Sequence, residues 1–174
     1  MANAEAKATG IALMGFDVDG VLTDGSLYYT SQGDEMKVFS SRDGHGLKML
    51  AGAGVKLAII TGRTSRAVEL RAQNLGIELL LQGVEDKRSA MAKLLSDLGL
   101  GFGQAGYMGD DVVDLPLMRA CGFSATTADG HPLLHRHADY IARKNGGNGA
   151  VREVCEFILG AQGKLDAALD PCLI

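Results

Sequence analysis

The sequence predicts a single α/β domain built on a mostly parallel, doubly wound sheet, and three observations carry that prediction. Apolar, β-prone runs alternate along the chain with segments of helical spacing, the pattern of repeated βαβ units that places helices on both faces of a sheet. Three of those runs stop at polar signatures, Asp17-Val18-Asp19, Thr61-Gly62-Arg63 and Gly109-Asp110-Asp111. The 174 residues suit one such domain with a substantial core and leave little room for a second.

The first run, Ile11-Ala12-Leu13-Met14-Gly15-Phe16, reads as a buried strand, and Gly20 and Gly25 turn the chain after it. Residues 26–30 and 35–39 flank a Gly-containing turn and read as a protruding β-hairpin. Its aromatic and apolar residues are many for so small a projection, which points to packing against another subunit. A helix over 43–53 carries Leu47, Met49 and Leu50 and ends at Gly52 and Gly54. A strand over 55–60 leads to Thr61, a helix over 64–75 stops at Gly76, and residues 77–81 form the next strand. A helix over 87–98 has Met91, Leu94, Leu95 and Leu98 at helical spacing, and a strand over 104–108 runs into Gly109. Residues 115–120 read as helix, 123–126 and 139–142 as short strands, and 149–161 as a last helix with Val151, Val154, Cys155, Ile158 and Leu159 on its apolar face. No repeat or low-complexity linker divides the chain, so the core spans about 11–160; the ends, 1–8 and 163–174, read as loosely held.

Apolar residues make up 47% and charged residues 22% of the chain, the balance of a globular protein. A net charge of −4 without a basic run argues against nucleic-acid binding. Nothing reaches the length of a membrane-spanning helix, and the first nine residues lack the apolar core of a signal peptide, so a cytoplasmic location is expected. Cys121, Cys155 and Cys172 are odd in number and widely spaced, which reads as reduced thiols; Cys172 reads as a mobile tail residue.

Parallel strands put their carboxyl ends on one edge, so the three polar signatures are expected to meet there. Asp17 and Asp19 repel each other unless a proton or cation lies between them, although Asp and Gly are common at any strand-to-turn junction. Asp17, Asp19 and Asp110 can hold one Mg²⁺, a hard ion that shares its shell with water and phosphate. Thr61 can offer its hydroxyl and backbone N–H to a phosphate at the start of the following helix; a plain N-cap role is compatible. Lys87 can bring a point charge to the same edge, although a helix-start lysine is more often solvated. Asp114, one turn after Asp110, can orient Lys87 or a metal-bound water, or merely complement the helix dipole.

In order and spacing, Asp17-x-Asp19-Gly20-x-Leu22-Thr23, Thr61-Gly62, Lys87 and Gly109-Asp110-x-x-x-Asp114 resemble the four motifs of the haloacid dehalogenase-like phosphatases. Together with Arg42-Asp43-Gly44, Gln82-Gly83 and the run from Gly146 to Glu153, they are similar to the 3-deoxy-D-manno-octulosonate 8-phosphate (KDO8P) phosphatases, over about residues 11–159. The resemblance implies a Mg²⁺-dependent phosphomonoesterase that acts on a sugar acid phosphate in lipopolysaccharide precursor synthesis. It implies Asp17 as nucleophile and Asp19 as proton donor and then acceptor, with Asp19 meeting Mg²⁺ through its backbone carbonyl. Thr61 and Lys87 would neutralise the transferring phosphoryl group, with Gly62 beside them. It further implies a small member without a cap domain, whose hairpin, residues 26–39, leans over a neighbour's active site in a homotetramer.

Arg63 and Arg71, two turns apart, can pair with the sugar carboxylate, or lie in surface salt bridges; Arg63 stands where related nonulosonate phosphatases tend to have Glu. The loop beginning at Gly146 can close on the sugar or serve as a flexible linker. The neighbouring reading is a phosphatase of a nonulosonate 9-phosphate. A signalling receiver domain, or a non-catalytic regulatory domain, is the reading of a different class. A receiver carries its phosphorylated Asp on the third strand, where this chain has Gln82-Gly83.

Overall fold

The computed structural model describes residues 2–170, so Cys172 lies outside the described residues. In chain order the elements are α1 (Ala2–Thr9), β1 (Leu13–Phe16), the hairpin strands β2 (Tyr28–Tyr29) and β3 (Glu35–Met36), α2 (Ser41–Gly52), β4 (Lys56–Ile60), α3 (Arg66–Leu75) and β5 (Leu79–Leu81). Then follow α4 (Lys87–Asp97), β6 (Ala105–Gly109), α5 (Leu115–Met118), β7 (Phe123–Thr126), α6 (Pro132–His135), β8 (Tyr140–Ile141), α7 (Ala150–Ala161) and α8 (Leu165–Leu169).

Six strands form one sheet in the order β5-β4-β1-β6-β7-β8, and every pairing within it is parallel. From the central β1 the chain first winds outward through β4 and β5, then returns to β6 on the other side and winds out through β7 and β8. That reversal places the carboxyl ends of β4, β1 and β6 side by side, the position where open α/β sheets bind ligands.

The central strands β1, β4 and β6 are covered on both faces, and alternate residues serve different cores. Met14, Phe16, Leu57, Ile59 and Met108 pack with α1, α2, α3 and α7, whereas Leu13, Ala58, Ile60, Ala105 and Tyr107 pack with α4, α5 and α6. The central strands are almost wholly buried, so their apolar runs are what the sequence shows most clearly.

Within the described residues, α1 and α8 are packed on the domain rather than loosely held. Helix α1 buries Ala4 and Ala8 in the first core, and Lys7 reaches Asp139 at 2.5 Å. Helix α8 packs Leu165, Ala168 and Leu169 on the same core, and Lys164 donates to the carbonyl of Ala53. Alanines make poor periodic signals, which is why α1 escapes a reading based on large apolar residues. Helix α6 was likewise unexpected.

The hairpin pairs Tyr28 with Met36 and Tyr29 with Glu35, and stands apart from the sheet. Leu27, Tyr28, Tyr29, Met36 and Val38 are all exposed on it, a density of exposed apolar side chains found on no other element of the described residues.

Candidate active site

The edge formed by β4, β1 and β6 opens into a cleft of about 530 Å³ whose walls include Asp17, Asp19, Thr61, Gly62, Lys87 and Asp110. After β1, Val18 buries its side chain in the core while its carbonyl accepts the N–H groups of Val21, Leu22 and Thr23 at 2.9–3.2 Å. This tight turn leaves Asp17 and Asp19 at the rim.

Lys87 opens α4 but is not solvated: it retains 6% exposure, and Nζ lies 2.7 Å from both Asp17 Oδ2 and Asp114 Oδ1. Tyr107 stands behind the pair; its hydroxyl accepts from Lys87 at 3.3 Å and lies 3.1 Å from both Asp114 Oδ1 and the Ile60 carbonyl. Burial and then the Asp114 and Asp17 charges push its phenol well above the ordinary value, so it stays a proton donor. Burial opposes the charge on Lys87, but the two carboxylates outweigh it and hold the ammonium above its ordinary value.

Asp114 is fully buried and completely engaged. Its Oδ1 serves Lys87 and Tyr107, and its Oδ2 accepts the backbone N–H groups of Asp110 and Asp111 at 3.1 and 3.2 Å. Asp17, Asp110 and Asp114 each bring a carboxylate oxygen within 4.8 Å of the others. Each Asp114 oxygen already has two partners, whereas each Asp17 oxygen has one, so Asp17 and Asp110 are the members with lone pairs to spare for a cation, and Asp114 orients the lysine and the Asp110 turn.

The electrostatics of the cluster fit a divalent cation. Burial pushes the Asp17 carboxyl up to about 6; the Asp114 charge adds to this, while Lys87 opposes it. Burial pushes Asp110 up to about 7, with Asp114, Asp17 and Asp111 adding to the effect. Three carboxylates against one ammonium leave a formal excess of two negative charges, which one divalent ion offsets. Gly20 makes the arrangement possible: with φ at +81° its Cα faces the Asp110 carboxylate, where no side chain fits.

Asp19 does not join this cluster with its carboxyl group. Its Oδ1 pairs with Lys37 of the hairpin, and its Oδ2 lies 3.6 Å from Arg63 Nε. Arg63 is half-exposed at the cleft wall and bridges to the hairpin through Glu35 Oε1 at 2.6 Å and the Tyr29 hydroxyl at 3.0 Å. Lys37, Glu35 and Tyr29 went unread in the sequence. The signal was present: along 35–39 Glu35, Lys37 and Phe39 turn inward while Met36 and Val38 face out, the two-residue alternation of a strand.

Three of the expected site residues are placed differently from the sequence reading. Thr61 is buried at the end of β4, but its N–H donates to the Leu81 carbonyl at 3.0 Å, so only its hydroxyl is left for a ligand. Nor is it an N-cap: α3 starts at Arg66, behind Ser65. Arg71 does not line the cleft; it donates to the Ser40 carbonyl at 3.0 Å and lies over the Phe39 ring. Gly146 is also absent from the cleft wall and belongs to no flexible linker. Its N–H donates to Asp129, Gly147 N–H donates to Val21 O at 2.9 Å, and the loop presses so closely on Gly20 and Thr23 that a methyl on Gly146 would overlap the Gly20 carbonyl.

The end of β5 carries no acid that a receiver domain would phosphorylate. Gln82 instead accepts the Ser65 N–H at 2.9 Å and fixes the start of α3. The thiols of Cys121 and Cys155 are pushed up by burial, Cys121 to about 12, and neither is near the cleft wall.

The chain is similar to known proteins in sequence and in fold. Residues 71–154 match the family model of the haloacid dehalogenase-like hydrolases. The 3-deoxy-D-manno-octulosonate 8-phosphate phosphatase KdsC of Escherichia coli strain K12 is 47% identical over 167 residues, covering 96% of this chain and 89% of the relative. Among solved structures, the same phosphatase from Moraxella catarrhalis, in complex with magnesium ion, phosphate ion and KDO, superposes with a TM-score of 0.97 at 45% identity, covering 99% of each chain. The Yersinia pestis enzyme gives a TM-score of 0.92 at 46% identity, over 94% of this chain and 89% of that one. The chain belongs to the 3-deoxy-D-manno-octulosonate 8-phosphate phosphatase family, within the haloacid dehalogenase-like hydrolases.

Proposed function

We propose that this protein is a Mg²⁺-dependent phosphoric monoester hydrolase that converts 3-deoxy-D-manno-octulosonate 8-phosphate to the free sugar acid and phosphate, a step toward lipopolysaccharide. The observation that carries this reading is the Asp17–Lys87–Asp114 arrangement beside Asp110, with its excess of two negative charges on the strand edge where Thr61 also lies. The family membership supplies the substrate.

Asp17 is the nucleophile. Its Oδ1 is held by the Val18 N–H at 2.7 Å and its Oδ2 by Lys87, so the carboxylate is fixed before substrate arrives. An Asp17 oxygen bonds to phosphorus as the bond to the sugar oxygen breaks, and Asp19 gives that oxygen a proton. Asp19 then takes a proton from the water that attacks the aspartyl-phosphate; the bond between phosphorus and Asp17 breaks and phosphate leaves. Lys87 and the Thr61 hydroxyl face the charge of the phosphoryl oxygens. Asp17, Asp110 and the Asp19 carbonyl would hold Mg²⁺, whose chemistry there is to neutralise phosphoryl charge as a Lewis acid.

The sugar carboxylate is assigned to Arg63 alone, since its guanidinium sits at the cleft wall and Arg71 is committed elsewhere. The exposed apolar side chains of the hairpin support a homotetramer in which each hairpin completes a neighbour's cleft. No helix of the described residues is long and apolar enough to cross a membrane, and a cytoplasmic location fits a phosphorylated substrate.

Phosphate release from a panel of sugar phosphates with Mg²⁺ tests the reading. The octulosonate 8-phosphate is expected to lead, with Asp17→Asn inactive but folded. A preference for neutral hexose phosphates, or turnover by Asp17→Asn, refutes it.

A further inference from the structure

The hairpin delivers a second enclosed ammonium to the cleft. The Lys37 side chain keeps 2% of its exposure, pairs with Asp19 Oδ1 and lies 3.5 Å from Glu35 Oε1. A buried ammonium holds its charge only with such partners. With Arg63 Nε near Oδ2, both Asp19 oxygens face cations on the hairpin side. The carboxylates of Asp17 and Asp114 turn the other way, to Lys87. Two acids separated by a single residue therefore point their charges at different partners.

We infer that Lys37 is a positioning residue: the hairpin ammonium clamps the Asp19 carboxyl outside the Asp17–Asp110–Asp114 cluster, so that this acid meets the bridging oxygen of the substrate rather than the divalent ion. The inference rests on the acid–base role proposed for Asp19. A hard dication gathers carboxylates, and a carboxyl two residues from Asp17 would otherwise be drawn into its shell. Docking of the hairpin does not depend on Lys37, because Arg63 separately holds Glu35 at 2.6 Å and Tyr29 at 3.0 Å. Removing the ammonium therefore frees Asp19 Oδ1, with only the longer Arg63 contact left to Oδ2, while the hairpin stays seated.

With the full-length protein, Mg²⁺ and the octulosonate phosphate, Lys37→Met is expected to lower kcat about 10²-fold with little change in KM. Lys37→Arg is expected to recover most of the loss. With p-nitrophenyl phosphate, whose leaving group departs without a proton, the first-turnover burst of nitrophenolate is expected to survive in Lys37→Met. Calorimetric titration of the metal-free protein is expected to give tighter Mg²⁺ binding by Lys37→Met than by the parent, as the freed carboxylate enters the shell. Glu35→Gln, which weakens the other anchor, is expected to act on KM.

Unchanged kcat in Lys37→Met, unchanged or weaker Mg²⁺ binding, or an equal kcat loss in Glu35→Gln overturns the inference; the last outcome reduces Lys37 to a hairpin anchor. If the parent protein fails to hydrolyse the sugar acid phosphate, the proposed substrate is refuted instead. The nitrophenyl phosphate and Mg²⁺ titrations then still decide where Lys37 holds Asp19.

Discussion

Asp43 and Arg152, 109 residues apart in sequence, meet where Asp43 Oδ1 accepts the Arg152 backbone N–H at 2.8 Å. The other oxygen of Asp43 accepts the Gly149 N–H at 3.1 Å, so a side chain in the first turn of α2 caps the N-terminus of α7. Gly149 has no side chain to do so itself, and its φ of +106° suits the glycine. The backbone N–H of Asp43 donates to the Ser40 side chain at 3.3 Å, so one residue ties two helix starts together below the hairpin.

Asp43→Ala removes both bonds from a buried carboxylate and strands two backbone donors. A loss of about 2–3 kcal/mol is expected in denaturant unfolding. At this chain length each kcal/mol lowers Tm by roughly 2–4 °C. Asp43→Asn keeps the shape and one acceptor, and is expected to fall between Asp43→Ala and the parent. An Asp43→Ala variant as stable as the parent would show that α7 does not need this cap.

Lys87→Met tests the buried ion pairs. Removing one partner of such a pair costs about 3–5 kcal/mol, because the remaining charges stay desolvated. Metal-free Lys87→Met is thus expected to unfold at much lower denaturant concentration. Added Mg²⁺ should restore part of that stability by offsetting the carboxylates. Turnover should stay down by at least about 10²-fold, since the phosphoryl charge loses its ammonium. Stability unaffected by the substitution would mean that Lys87 contributes nothing to holding Asp17 and Asp114.

The raised carboxyls of Asp17 and Asp110 predict a pH dependence with a definite sign. Both titrate above their ordinary value of 3.8, near 6 and near 7. The folded, metal-free protein therefore binds these protons more tightly than the unfolded chain does. Their contribution is fully present below about pH 4 and is lost as pH rises through 6 and 7, at no more than about 1.4 kcal/mol per pH unit per group. Mg²⁺ needs the ionised forms, so its stabilising effect should be large at pH 8 and small at pH 5. Asp110→Asn removes one of the two groups. It should flatten the metal-free profile between pH 5 and 8 and blunt the response to Mg²⁺. Differential scanning calorimetry across pH, with and without Mg²⁺, reads both effects, and a Mg²⁺ shift equal at pH 5 and 8 would contradict them.

What the sequence displayed and what it hid follow from distance along the chain. β1, β4 and β6 were legible because strands buried on both faces are continuous apolar runs, and their ends announced Asp17, Thr61 and Asp110 as neighbours on one edge. The cap formed by Asp43 was hidden because its partners come from α7, more than a hundred residues away. The two-turn spacing of Arg63 and Arg71 does not give a shared helix face, because α3 starts at Arg66, beyond Arg63, and the Arg71 guanidinium reaches the Ser40 carbonyl. Gly146 misled because a glycine-rich loop looks the same whether it moves or, as here, packs its backbone against the Gly20 turn. The hairpin was visible as two short strands, but not the inward turn of Lys37, which depends on where the domain lies beneath it.

Gly20→Ala separates backbone strain from site geometry. At φ +81° an alanine costs about 1–2 kcal/mol, and here its methyl would also overlap the Asp110 carboxylate. Gly54→Ala is the matched control: its φ is +92°, and a methyl there meets open space far from the cleft. Both variants are expected to lose the stability that the positive φ costs an alanine, with a further loss in Gly20→Ala from the overlap with Asp110. Only Gly20→Ala should displace Asp110, weakening Mg²⁺ binding by about 10–100-fold as misplacement of a ligand's support does elsewhere. Calorimetric Mg²⁺ titration of the two variants makes the comparison. Equal affinities would mean that the Asp110 carboxylate does not depend on the bare Cα of Gly20, and that Asp114, through the Asp110 and Asp111 N–H groups, is enough to place it.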